Sequence, residues 1–347
     1  MGGEMKIKKY LLLITACFCL AIGAGAMGAR SAVTASVAHA SGATVYLGGT
    51  PLGIVTETDG VIIDNYINVN TKDGPSCPAK DAGLMAGDVI VKIGQTKITK
   101  PADILQALEN LKDGPATIEI RRNGELKILE ITPKTDVALS TKKIGVMVKN
   151  DISGVGTLTY VKANNMRFGA LGHPICDQKG SNSYKNGNIY PCNIIGSIKG
   201  QSGKAGELRG TFNRTEKSIG KIDGNCFSGL FGTATRSMVE NRPLIEVANR
   251  SEVRTGIAHI YTTVSGKNPE MYEIEILKAE EQSSPSPKSM LLKITDGRLK
   301  DATGGIVQGM SGSPIVQNGK LIGAVTHVLV NDPAKGFGIY IDWMLDK

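Results

Sequence analysis

Gly305-Ile-Val-Gln-Gly-Met-Ser311-Gly-Ser-Pro314-Ile-Val-Gln-Asn-Gly319-Lys-Leu-Ile-Gly-Ala-Val325 is the stretch that decides the fold. It sets a serine in a glycine-flanked turn, Gly309 to Pro314. A strand-like run follows (Ile315, Val316), then Asn318-Gly319, then a second apolar run from Leu321 to Val325. Asn-Gly between two apolar runs is the strongest short-range hairpin signal, because both residues tolerate the positive φ of a type I′ turn. The glycines let the backbone fold tightly behind Ser311. The N–H groups of Gly309 and Ser311 are therefore expected to point at one spot, the geometry that stabilises a developing oxyanion.

The turn is similar to the nucleophile turn of chymotrypsin-like serine peptidases. A serine hydroxyl needs a base to take its proton. The chain has four histidines. His39 falls at a candidate cleavage site, His259 in a strand-like run, and His327 directly after the last hairpin strand. His173 sits in Phe168-Gly-Ala-Leu-Gly-His173-Pro-Ile-Cys-Asp177, a glycine-flanked turn after an apolar strand. In chymotrypsin-like folds the base follows a strand of the first barrel in this way, so His173 is the expected base and His327 the runner-up. An acid would orient the imidazole. Asp177, Asp223, Asp296, Asp301 and Asp332 all remain candidates by their residues alone.

Composition agrees with a β-rich chain. Of 347 residues 43 are glycine, and aromatics make up only 5%, a mix that suits many tight turns rather than a helical bundle. The length allows two or three domains. Residues 1–40 read as a leader: Lys6, Lys8 and Lys9, then an apolar stretch from Tyr10 to Ala29, then Ala38-His39-Ala40 as a small-residue cleavage site. The protein is expected to be exported, either released or anchored at its N-terminus. Formal net charge is +8, of which residues 1–40 hold +3. The remaining excess is spread along the chain, which argues against nucleic-acid binding and is compatible with an anionic membrane surface. No C-x-x-C occurs, so zinc is not expected. Neither is another metal or a cofactor. Cys77, Cys176, Cys192 and Cys226 are too scattered for a disulfide framework.

Residues 43–133 form a self-consistent module. Apolar residues recur at helical spacing from Ala102 to Leu111 behind Pro101, and Ala116 to Ile131 reads as a hairpin about Asn123-Gly124. Ala82-Gly-Leu-Met-Ala-Gly87-Asp88-Val-Ile90-Val-Lys-Ile93 resembles the most recognisable stretch of bacterial PDZ domains. By that resemblance Leu52, Gly53 and Ile54 are expected to border a groove that takes a peptide's terminal carboxylate, with the strand edge open for β-augmentation. Residues 134–141 read as a linker. From residue 142 to 347 short alternating strands and frequent turns indicate a sandwich or barrel.

Gly172-His173, Ile294-Thr-Asp296 and the run from Thr303 to Leu345 together resemble the stage IV sporulation protein B peptidases of endospore-forming bacteria. The order of leader, PDZ module and peptidase domain is similar throughout. The resemblance implies a mainly β chain, with a PDZ domain followed by a chymotrypsin-like double β-barrel serine peptidase domain. It implies His173 as base, Asp296 as orienting acid and Ser311 as nucleophile. It further implies export across the forespore inner membrane into the intermembrane space. There such enzymes cleave a membrane-bound inhibitory subunit of an intramembrane metalloprotease complex, which then processes a precursor sigma factor. The PDZ module would hold a peptide ligand or the enzyme's own cleaved terminus. Two other classes fit the same features: a catalytically inactive PDZ adaptor, and a general envelope quality-control serine protease.

Overall fold

Two unusually long strands organise the molecule, Pro51–Tyr66 and Val146–Lys162. The computed structural model describes residues 42–176, 184–345 and 347. The leader expected at 1–40, with His39, and the acid candidate Asp177 lie outside the described residues. The two long strands pair antiparallel from Pro51↔Thr157 to Tyr66↔Val146. Their two halves serve different cores.

The first half closes a barrel. Pro51–Tyr66 pairs with Val146–Lys162, then the order runs through Arg167–Ala170, Gly229–Ala234, Gly220–Cys226 and Tyr184–Pro191 back to Pro51–Tyr66. Alternate residues point inward, as a small closed barrel requires. Leu52, Ile54, Leu158, Phe168, Ile189, Ile222 and Leu230 fill one buried cluster.

A second set of six strands pairs in cyclic order: Gly256–Thr262, Glu270–Ala279, Met290–Ile294, Lys335–Tyr340, Lys320–Val328 and Pro314–Gln317, which returns to Gly256–Thr262. Ile260, Ile274, Leu292, Ile315, Val325 and Ile339 are buried together inside it. The hairpin expected at Asn318-Gly319 is present. Both residues have positive φ, 51° and 75°, the type I′ requirement.

The second half of Pro51–Tyr66 belongs to the PDZ-like module. Val61, Ile63, Leu84, Ile90, Ile118 and Ile120 form its core, with Ile104 and Leu108 from the helix Pro101–Glu109. Pro101 opens that helix, and Asp103 accepts the N–H groups of Thr99 and Lys100. Leu105, expected on the apolar face, is instead exposed. Asn123-Gly124 turns the expected hairpin between Ala116–Arg122 and Glu125–Ile131. Asp88 of the Gly-Asp pair is buried and takes a two-pronged contact from Arg122, 2.7 Å at each oxygen. It also accepts the Met85 N–H, which fixes the turn between helix and strand.

Residues 134–141, read as a linker, carry a short hairpin of their own in which Lys134–Asp136 pairs with Thr141–Lys143. Residues 44–58, at the start of the module read from sequence, pair with the barrel strands and with Leu244–Val247. Leu52, Gly53 and Ile54 therefore do not border an open peptide groove. Their strand is paired on both edges, with Val146–Lys162 and with Tyr184–Pro191. Leu52 and Ile54 point into the barrel core, and a Cβ on Gly53 would meet the Phe212 ring at 2.2 Å. The physical reason is edge satisfaction: an apolar strand end next to the barrel gains two ladders of backbone hydrogen bonds there.

Candidate active site

Ser311 lies between two tightly held peptide planes. Gly309 and Gly312 adopt φ of 94° and 95°, which only glycine reaches without strain. At Gly312 there is also no room: a Cβ would lie 2.2 Å from the Thr157 carbonyl oxygen and 2.5 Å from the Leu171 nitrogen. Met310 is fully buried and anchors the turn. The Gly312 N–H donates to the Val325 carbonyl, and the Ser313 N–H to the Met310 carbonyl. Among the described residues, the N–H groups of Gly309 and Ser311 have no acceptor. That leaves both donors available to an outside oxygen.

His173 follows the barrel strand Arg167–Ala170 through two left-handed residues, Leu171 (φ 69°) and Gly172 (φ 68°). A left-handed non-glycine residue costs about 1 kcal/mol or more and tends to persist where geometry is functional. Asn225 fixes the far side of this turn. Its side-chain amide donates to the Ile175 carbonyl and accepts the Ile175 N–H. The His173 Nδ1 lies 3.0 Å from the Pro174 carbonyl oxygen. A carbonyl can only accept, so this contact places the proton on Nδ1 and leaves the Nε2 lone pair free to act as a base.

Ser311, His173 and His327 line one cavity of about 650 Å³. Its walls are mainly aliphatic, including Ile54, Ile152, Val155, Val307 and Val328. The two imidazole rings lie 5.2 Å apart, centroid to centroid, tilted by 41°. The Ser311 hydroxyl donates to the Thr326 carbonyl at 2.8 Å rather than to an imidazole. Hydrogen bonds between catalytic groups are often long or poorly aligned in the free enzyme and tighten only in the substrate complex. His259 lies within its strand and does not line the cavity.

Asp296 is not brought to His173. It caps the helix Gly297–Thr303, and its carboxylate accepts from the Arg298 N–H at 2.9 Å and from the Arg298 guanidinium at 2.8 Å and 3.2 Å. The hydrogen-bonded Arg298 guanidinium is the main influence that holds the Asp296 carboxyl below the usual carboxylate range. Asp296 does not line the cavity, and no hydrogen bond joins it to His173. Of the other acid candidates, Asp223 pairs with Arg167 and Asp332 with Lys335. Sequence reading missed Thr326 and Asn225, although Thr326 stands directly before His327.

Burial lowers the His173 pKa below its ordinary 6.5, partly opposed by the Pro174 carbonyl. His327 is pushed down to about 4 by burial, then by His173 and Lys288. Both rings are therefore neutral at pH 7. A base works only while neutral, so a lowered pKa carries activity to more acidic pH. The acid limb of kcat/KM against pH is expected to fall below 6.5, and a limb above 6.5 would contradict the buried setting of His173. Stability follows the same sign: the unfolded chain takes up protons first, so stability is lost as pH falls below about 6.5.

Residues 140–345 match the family described as SpoIVB peptidase S55. The chain belongs to that family. SpoIVB peptidase S55 is a serine peptidase family with a role in sporulation signalling, and Ser311 and His173 both fall within the matched residues. Residues 52–132 match the PDZ domain family, which implies binding of a peptide ligand. The chain is also 36% identical over 97 residues to the putative zinc metalloprotease SA1105 of Staphylococcus aureus (strain N315), 28% of this chain and 19% of that protein. It is 42% identical over 62 residues to the zinc metalloprotease Rip1 of Mycolicibacterium smegmatis, 17% of this chain and 15% of that protein. The chain thus spans about a fifth or less of the length of these curated relatives. Among the described residues no group of three or more His, Cys, Asp or Glu side chains is placed to hold a metal ion.

Proposed function

We propose that this chain is a chymotrypsin-like serine endopeptidase that cleaves a membrane-bound regulator during sporulation. The observation that carries the proposal is one cavity receiving Ser311 from the second strand ring and His173 from the turn that leaves the first. In the reaction His173 Nε2 takes the Ser311 proton as Oγ attacks the scissile carbonyl. The N–H groups of Gly309 and Ser311 receive the oxyanion. His173 then protonates the leaving amine, and water resolves the acyl-enzyme by the reverse sequence. The Pro174 carbonyl supports the imidazole tautomer, the orienting task usually given to a carboxylate.

The substrate is the extracytoplasmic part of an inhibitory subunit of an intramembrane metalloprotease complex, whose release permits processing of a precursor sigma factor. The leader exports the enzyme across the forespore inner membrane into the intermembrane space. The PDZ module holds a peptide ligand or the enzyme's own cleaved end. The test offers the purified full chain a membrane-anchored inhibitor of this kind in vesicles beside an unfolded protein such as casein. Cleavage of the inhibitor at one site with little loss of casein is expected. Indiscriminate cleavage would assign the chain to quality control, and no cleavage of either, with the fold intact, to a PDZ adaptor.

A further inference from the structure

Thr157 occupies a place that no sequence motif marks. It lies on Val146–Lys162, the strand shared by the PDZ-like core and the barrel, and is 2% exposed. Its hydroxyl donates to the Gly309 carbonyl at 2.7 Å. Its N–H donates to the Ser311 carbonyl at 3.1 Å, and its own carbonyl accepts the Leu171 N–H at 3.3 Å. One residue thus touches both the turn that carries Ser311 and the turn that leads to His173.

The pattern of peptide planes gives these contacts their meaning. The 309–310 plane is held at both ends, its carbonyl by the Thr157 hydroxyl and its N–H by the Val307 carbonyl. The 311–312 plane is held likewise, by the Thr157 N–H and the Val325 carbonyl. Between them lies the 310–311 plane, which bears the Ser311 N–H. With both neighbours fixed, that plane has little freedom to rotate. Thr159 extends the brace by donating its hydroxyl to the Gly312 carbonyl at 2.7 Å.

We infer that Thr157 is a positioning residue: it aims the Ser311 N–H into the cavity and sets the spacing of the nucleophile turn from the His173 turn. The inference rests on the Ser311–His173 peptidase reading and deepens it. Nothing reacts at Thr157, so its hydroxyl acts through the transition state and not through substrate affinity. The same strand continues through Ile152 and Val155, which line the cavity, to Val146 and Val148, which pack on the PDZ-like core.

Thr157→Val keeps the shape and removes the hydroxyl, whereas Thr157→Ser keeps the hydroxyl. In the full chain T157V is expected to lower kcat on the order of 10²-fold with KM changed less than about threefold, since small misplacement of reacting groups costs that much. T157S should recover kcat to within about fivefold of wild type. The rate of inactivation by a fluorophosphonate should follow kcat across the variants, while melting temperatures show each is folded. Should T157V not fold, Thr157→Ala takes its place under the same criteria. Wild-type kcat in the variant lacking the hydroxyl would overturn the inference, as would an equal loss in T157S. A wild-type chain that neither cleaves nor reacts with the fluorophosphonate would sink the peptidase reading itself, a different failure.

Discussion

Ser311→Ala is expected to lower kcat by roughly 10⁴- to 10⁶-fold while leaving the fold intact. The substitution removes one hydroxyl whose only hydrogen bond among the described residues goes to the Thr326 carbonyl. No core volume is lost, so the melting temperature should hardly move. His173→Ala should be as severe, because attack and proton transfer form one step and each residue is useless without the other. The double variant should then be no slower than either single one, a non-additivity that two independent binding residues would not produce. Steady-state kinetics on the three variants, with thermal melts beside them, check this. Additive losses would show that Ser311 and His173 do not act as a unit.

Gly312→Ala is expected to be nearly as damaging for a different reason. The residue sits at φ 95°, and its missing Cβ would overlap the Thr157 carbonyl oxygen at 2.2 Å. Left-handed strain alone costs about 1–3 kcal/mol. Relief of the overlap requires the turn to lift away from Thr157 and Leu171, which carries Ser311 with it. Both the midpoint of urea unfolding and kcat should fall, with kcat reduced on the order of 10²-fold or more. Gly319→Ala is the control. It has a similar φ of 75° but nothing within 4 Å of the added Cβ, and it lies at the hairpin tip. A Gly312→Ala enzyme with full activity would mean that the turn is not held as described.

Much of this architecture was legible because it rests on short-range chemistry. Asn318-Gly319 and Asn123-Gly124 announce their hairpins by backbone tolerance alone, and both hairpins are present. The glycine spacing about Ser311 announces a tight turn, and the turn is there. What could not be read depends on partners distant in sequence. Leu52, Gly53 and Ile54 look like a binding loop locally, but the strands Val146–Lys162 and Tyr184–Pro191 close both of their edges. Asp296 looks like a triad acid by resemblance, yet Arg298, two residues on, and the helix N-terminus take its carboxylate. Thr157 lies 152 residues from the carbonyl it holds, and a threonine in an alternating strand carries no mark of such a task.

The most direct test of the Ser311–His173 mechanism is the reaction of the full chain with a fluorophosphonate, followed by mass mapping of the modified residue. Such reagents modify only a serine that a base has activated and whose tetrahedral adduct finds oxyanion donors. One adduct per chain is expected at Ser311, absent from His173→Ala and formed in Asp296→Asn at close to the wild-type rate. An unmodified wild-type chain, or an adduct at any other serine, would contradict it.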